Sequence, residues 1–95
     1  MLRPMLLSLA FVSAPAFAQA YYQAETAAPS AKARFVARDN VWHCNGNGCA
    51  STRTGSRPAI VCSSLVREVG ALTRFSVDGR AFGPEELESC NRRAR

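Results

Sequence analysis

Four cysteines, Cys44, Cys49, Cys62 and Cys90, are the residues of this 95-residue chain best suited to chemistry. Thiols can bridge, ligate a metal or attack a substrate, and their spacing, C-x4-C-x12-C-x27-C, bears on all three. A zinc ribbon or finger wants close cysteine pairs or cysteine–histidine pairs, and no second close pair is present. The single histidine, His43, adjoins Cys44, and alternation along a strand points it to the opposite face. A dithiol redox site wants C-x-x-C, which the sequence lacks. Bridging remains, with three connectivities open to four cysteines. Cys44 and Cys49 flank a four-residue turn, so they face each other across a hairpin. Cys62 and Cys90 each fall on the apolar face of an expected helix. The expected pairs are therefore Cys44–Cys49 and Cys62–Cys90. On the chain-entropy account the first stabilises by roughly 2 kcal/mol and the second by roughly 3.5 kcal/mol.

Other catalytic constellations are hard to assemble. A nucleophile needs a base within hydrogen-bond reach and a third group to orient that base. Ser51, Ser63, Ser64 and Asp39 offer themselves around His43, but nothing resembles G-x-S-x-G. Glu85, Glu86 and Glu88 read as ordinary first-turn helix charges rather than paired acid and base. Asn45-Gly46-Asn47-Gly48 lacks the Lys-Ser/Thr that would make it a phosphate loop. The expectation is a protein that is not an enzyme, with no catalytic residue, no cofactor and no metal. Binding is the better reading. The chain has 12 basic and 7 acidic residues, a formal net charge of +5. All but Lys32 of the basic residues are arginines, whose planar forks suit carboxylate or phosphate. Arg92, Arg93 and Arg95 form a basic tail. Trp42 beside a disulfide is either a recognition residue or core. The candidate contact residues are Trp42, Asn45, Asn47, Arg92 and Arg93.

The elements that position these residues begin after a leader. Arg3, the apolar run Met5–Val12 and Ala16-Phe17-Ala18 read as a secretory signal peptide over residues 1–18. Cleavage after Ala20 is the alternative, and the apolar run is shorter than the ~20 residues that span a bilayer. Residues 19–33, rich in Ala and polar side chains, read as a flexible tether whose Tyr21 and Tyr22 fray. Residues 34–95 then form one small domain. Near sixty packed residues bury only about 60% of their unfolded surface, so covalent staples are the expected remedy.

The expected fold class is α+β. A β-hairpin runs through Phe35–Arg38 and Val41–Cys44, with a bulge or bend at Asp39-Asn40, and returns through Cys49–Thr52. A helix starts at Pro58, buries Val61, Cys62, Leu65, Val66 and Val69, and stops at Gly70. A half-buried strand follows at Thr73–Val77, and Asp78-Gly79 turns it toward Arg80–Phe82. A short C-terminal helix begins at Pro84.

Several short motifs, taken in order, carry a resemblance. Trp42-x-Cys44, the Gly-rich turn to Cys49, Ser56-Arg57-Pro58-x-x-Val61-Cys62, Gly70 with Phe75, and Cys90-Asn91 resemble a family of short, exported, uncharacterised alphaproteobacterial proteins. The resemblance covers about residues 36–91 and implies a Gram-negative periplasm and no catalytic residue. The expected role is a secreted or periplasmic interaction or structural module of the cell envelope. Its expected partner is an acidic envelope component or protein, with no nucleic acid and no stable membrane insertion. The alternative is an inhibitor of an envelope or foreign hydrolase that presents the Cys44–Cys49 loop.

Overall fold

Glycine and Asx residues bend the chain back on itself three times. In this computed structural model, which describes residues 20–94, each reversal joins neighbouring antiparallel strands. The signal peptide expected over residues 1–18, and Arg95 of the basic tail, lie outside the described residues. β2 (Arg34–Ala37) turns at Arg38-Asp39 into β3 (Asn40–Asn45), and β3 turns at Gly46-Asn47 into β4 (Gly48–Ser51). Asp39-Asn40, expected as a bulge or bend, is thus part of a complete reversal, and Ala37 pairs with Asn40 across it. β5 (Leu72–Val77) turns through Asp78-Gly79 into β6 (Arg80–Ala81). Both turn residues have positive φ, 49° and 80°, the type I′ geometry that Asp-Gly favours.

The tether is not a tether. Residues 22–26, inside the segment expected to be flexible, form β1 (Tyr22–Thr26). The strand order is β2-β3-β4-β1-β5-β6, so β1 lies inside the sheet and is paired on both edges. Its inward residues are Tyr22, Ala24 and Thr26, a period-2 pattern built largely from small side chains. Ala24 lies opposite Cys49 on one side and Phe75 on the other, both buried. The backbone ladders and one Tyr therefore suffice to order a segment whose composition reads as soluble and loose. The rest of the segment is also tied down. The N–H groups of Ala27 and Ser30 donate to the carbonyls of Ala71 and Gly46, and Cys44 N–H donates to Ala33 O.

α1 (Pro58–Val69) connects β4 to β5, the two strands that flank β1. These three elements make a split β-α-β unit with β1 in the slot. Pro58 opens α1, where a missing N–H costs nothing, and Gly70 closes it at φ 83°. Val61, Cys62, Leu65 and Val66 form its buried stripe. α2 (Pro84–Asn91) packs on α1 and β5. The fold is α+β, with one six-stranded antiparallel sheet, two helices and two disulfides.

An aromatic row ties the strands together. Tyr22 sits 6.3 Å from Trp42 and 5.9 Å from Phe75, ring centre to ring centre, and Phe75 sits 4.7 Å from Phe82. Burial raises the Tyr22 phenol above its ordinary 10.0; nearby Tyr21 adds to this and Arg53 opposes it. The neutral phenol is thus favoured in the fold more than in the unfolded chain. That preference is fully present below pH ~10 and is lost as pH rises through the raised folded value. Thermal melts across the alkaline range should show the melting point falling above pH ~10. Tyr22→Phe should flatten that fall, and an identical fall in the variant would contradict it.

Candidate functional site

The four cysteines are placed by the two turns and two helices as their spacing indicates. Cys44 and Cys49 are directly opposed across β3 and β4 and are bridged, with Cα atoms 4.1 Å apart. Cys62 and Cys90 bridge α1 to α2, with Cα atoms 5.9 Å apart. No free cysteine remains. Among the described residues no three His, Cys, Asp or Glu side chains gather in a way that could hold a metal ion.

Alternation along β3 decides the fate of the residues around Cys44. Asn40, Trp42 and Cys44 point inward, whereas Val41, His43 and Asn45 point out. Trp42 is 0% exposed, so this candidate contact residue is core and cannot touch a partner. Its indole N–H has no hydrogen-bond partner among the described residues. Asn40, equally hidden, is satisfied: its amide donates to Ser51 Oγ at 3.0 Å and to Thr52 O at 3.1 Å, and accepts from Thr54 Oγ1 at 3.2 Å. This buried amide holds the start of β3 against the loop that leads to α1.

The Cys44–Cys49 turn is clasped from below. Thr26 N–H donates to Asn47 O at 2.7 Å, and the Asn47 side-chain amide donates to Thr26 O at 2.8 Å. Asn47, though exposed, therefore spends its amide on a bond within the chain, at the end of β1. Asn45 is exposed and stays available on the same turn. Sequence reasoning missed this clasp because the partner segment read as a tether; the alternating Tyr22, Ala24 and Thr26 were its only signal.

The basic tail divides in the same way. Arg92 pairs with Glu88 one helical turn earlier, at 3.0 Å. Arg93 is exposed and makes no side-chain hydrogen bond or ion pair among the described residues. The one other ion pair there joins Lys32 to Glu68 at 3.3 Å. Arg53 lies 5.7 Å from the Tyr21 ring centre. Arg34, Arg38, Arg57, Arg67, Arg74 and Arg80 are exposed with neither kind of partner among the described residues.

Asn91, next to Cys90, has a definite task. Its side-chain oxygen accepts from Leu72 N–H at 2.8 Å, and its amide donates to Leu72 O at 2.9 Å. The side chain thus imitates one rung of a strand ladder and fastens the end of α2 to the start of β5. Asn91→Ala should destabilise by about 2 kcal/mol in urea unfolding, because Leu72 loses both partners. Asn91→Asp should not rescue it, since a carboxylate cannot donate to Leu72 O. A loss in both variants of no more than about 0.5 kcal/mol, the scale of ordinary surface changes, would contradict this.

Most residues of the motifs behind the resemblance have scaffold roles, the exposed Arg57 excepted. Trp42 and Cys44 line the core, Ser56 donates to Asp39, Pro58 opens α1, Val61 and Cys62 bury, and Asn91 clamps β5. No helix among the described residues is long and apolar enough to cross a membrane. No curated protein and no solved structure matches the chain. Residues 7–92, however, match the model of DUF8200, a family of unknown function, and the chain belongs to that family.

Proposed function

We propose that this protein is exported and works, without catalysing a reaction, as an interaction module that holds an acidic component of the cell envelope. The observation that carries the reading is the surface of unpartnered arginines, Arg34, Arg38, Arg57, Arg67, Arg74, Arg80 and Arg93. Guanidinium forks without internal partners remain free for carboxylate or phosphate. Two disulfides in so small a unit are compatible with an oxidising compartment. The leader expected over residues 1–18 supplies the route. Mature protein recovered from the periplasm should begin at Gln19, or at Tyr21 by the alternative cut; a mature form retaining Met1 contradicts export by this leader.

A second reading, an inhibitor of an envelope or foreign hydrolase, draws on the Cys44–Cys49 turn. That turn is stapled, clasped by Thr26 and exposes Asn45, so it loses little freedom on binding. Affinity capture from periplasmic extract, with the disulfides intact, separates the two. Recovery of acidic envelope polymer that is released by salt supports the module. Stoichiometric recovery of a hydrolase supports the inhibitor and counts against the module.

A further inference from the structure

Three of the unpartnered arginines share one cleft. Arg38 comes from the β2–β3 turn, Arg67 from α1 and Arg93 from the turn after α2. Together with Ile60, Ser63 and Ser64 they line a cleft of about 220 Å³. Positions 60, 63, 64 and 67 form one face of α1, so the helix supplies the floor and the other two arginines line its sides. No acidic residue lines the cleft. The acids nearest in sequence are engaged elsewhere: Asp39 accepts from Ser56 Oγ at 3.1 Å, and Glu68 pairs with Lys32.

We propose that this cleft binds a phosphate monoester carried on a hydroxyl-bearing group. The proposal rests on the reading above, that the protein holds an anionic partner through its arginines, and assigns the place and the chemistry. Three guanidiniums with no balancing acid favour a dianion over a single carboxylate, and three forks can share the oxygens of one phosphate. The serines refine the choice. Ser63 Oγ donates to Ala59 O and Ser64 Oγ to Ile60 O, each at 2.9 Å. Toward the cleft they therefore offer lone pairs, and these call for a donor beside the phosphate, such as an alcohol.

The backbone points the same way. Arg38 has φ 56°, in the left-handed region where glycine is easier. A long charged side chain at such a turn is costly to the backbone and useful to the cleft. Arg93 is held close to the Cys62–Cys90 bridge, since its N–H donates to Cys90 O at 3.0 Å. The disulfide thus fixes two walls of the cleft, α1 and the turn after α2.

The test is a titration of the mature, oxidised chain at low ionic strength, followed by amide and arginine side-chain NMR shifts. The probes are inorganic phosphate, glycerol 3-phosphate and, as a control, acetate. Saturable shifts centred on Arg38, Arg67 and Arg93, with glycerol 3-phosphate the tightest, are expected. Arg67→Ala should weaken binding about tenfold, and Arg53→Ala, in the loop after β4 and outside the cleft, should leave it unchanged. Arg38→Gly keeps the result interpretable, because glycine suits that backbone: binding should fall about tenfold while the melting point holds or rises. Vesicles containing lysophosphatidic acid, whose glycerol keeps a free hydroxyl beside the phosphate, compared with phosphatidylcholine alone, identify the source of the phosphate. Cleft-dependent retention assigns a lipid headgroup, and binding confined to the soluble arm assigns a free ester. Wild-type affinity in Arg38→Gly and Arg67→Ala overturns the cleft. If acidic envelope polymer still binds in that case, the broader anionic reading survives. No binding to any of these anions or to the polymer overturns both.

Discussion

A chain shortened to begin at Ala27 should fail to fold. The cut removes β1, the one strand that joins β4 to β5, and so divides the sheet into β2-β3-β4 and β5-β6. It also strips Tyr22 from between Trp42 and Phe75. Losing a buried aromatic side chain alone costs about 3–5 kcal/mol. Each ladder hydrogen bond adds about 1 kcal/mol, on both edges of the strand. A domain of this size has only about 5 kcal/mol of stability to lose. Circular dichroism and NMR dispersion of the shortened chain should therefore show an unfolded ensemble. A chain beginning at Ala20 should melt like the mature protein. A cooperative melt of the Ala27 form would mean that β1 is dispensable and that the segment is a tether after all.

Replacing Cys62 and Cys90 together by Ala should lower the melting point far more than replacing Cys44 and Cys49. The long bridge has a sequence separation of 28 and the short one of 5. Closing those loops in the unfolded chain is worth about 3.6 and 2.1 kcal/mol respectively. Packing widens the gap. Cys90 is the buried residue of α2, with Leu87 only partly covered, so without the bridge little but the Asn91 clamp holds that helix. Cys44 and Cys49 lie in paired strands that stay paired without the covalent link. A difference of more than about 10 °C is expected between the two double variants. Equal losses would show that α2 docks on its own.

The sequence reveals most where local chemistry is strong. Both disulfides, the start of α1 at Pro58, its stop at Gly70 and the Asp78-Gly79 turn are all readable from residue types and offsets. These features are decided within a few residues, or by a periodic apolar stripe. β1 was hidden because its case is non-local. Its small inward residues make sense only once Cys49 and Phe75 are seen beside Ala24, and its hydrogen bonds run to strands far along the chain. The same gap misassigned Trp42 and hid what holds Asn47 in place. Trp42 and Asn47 are polar-tipped residues next to a loop, a pattern shared by contact residues and by structural ones. Burial settles the first; the second is bonded to Thr26 and stays exposed on the turn. The arginine cleft was not legible, since Arg38, Arg67 and Arg93 are spread over three elements with no shared spacing.

The placement of β1 also dictates when the fold can form. Tyr22 pairs with Ser51 on one side and with Val77 on the other. A chain made from its N-terminus therefore produces its central strand first and that strand's second neighbour nearly last. The β2–β3 and β3–β4 hairpins can close early, because their loops are short. The sheet cannot, because the large loop through α1 must be ordered before β1 is enclosed. Every intermediate shorter than about Val77 leaves the β5-facing edge of β1 unpaired in part or in whole. Closure of the sheet around β1 is thus expected late, and such a chain should stay threadable until nearly all of it has been made.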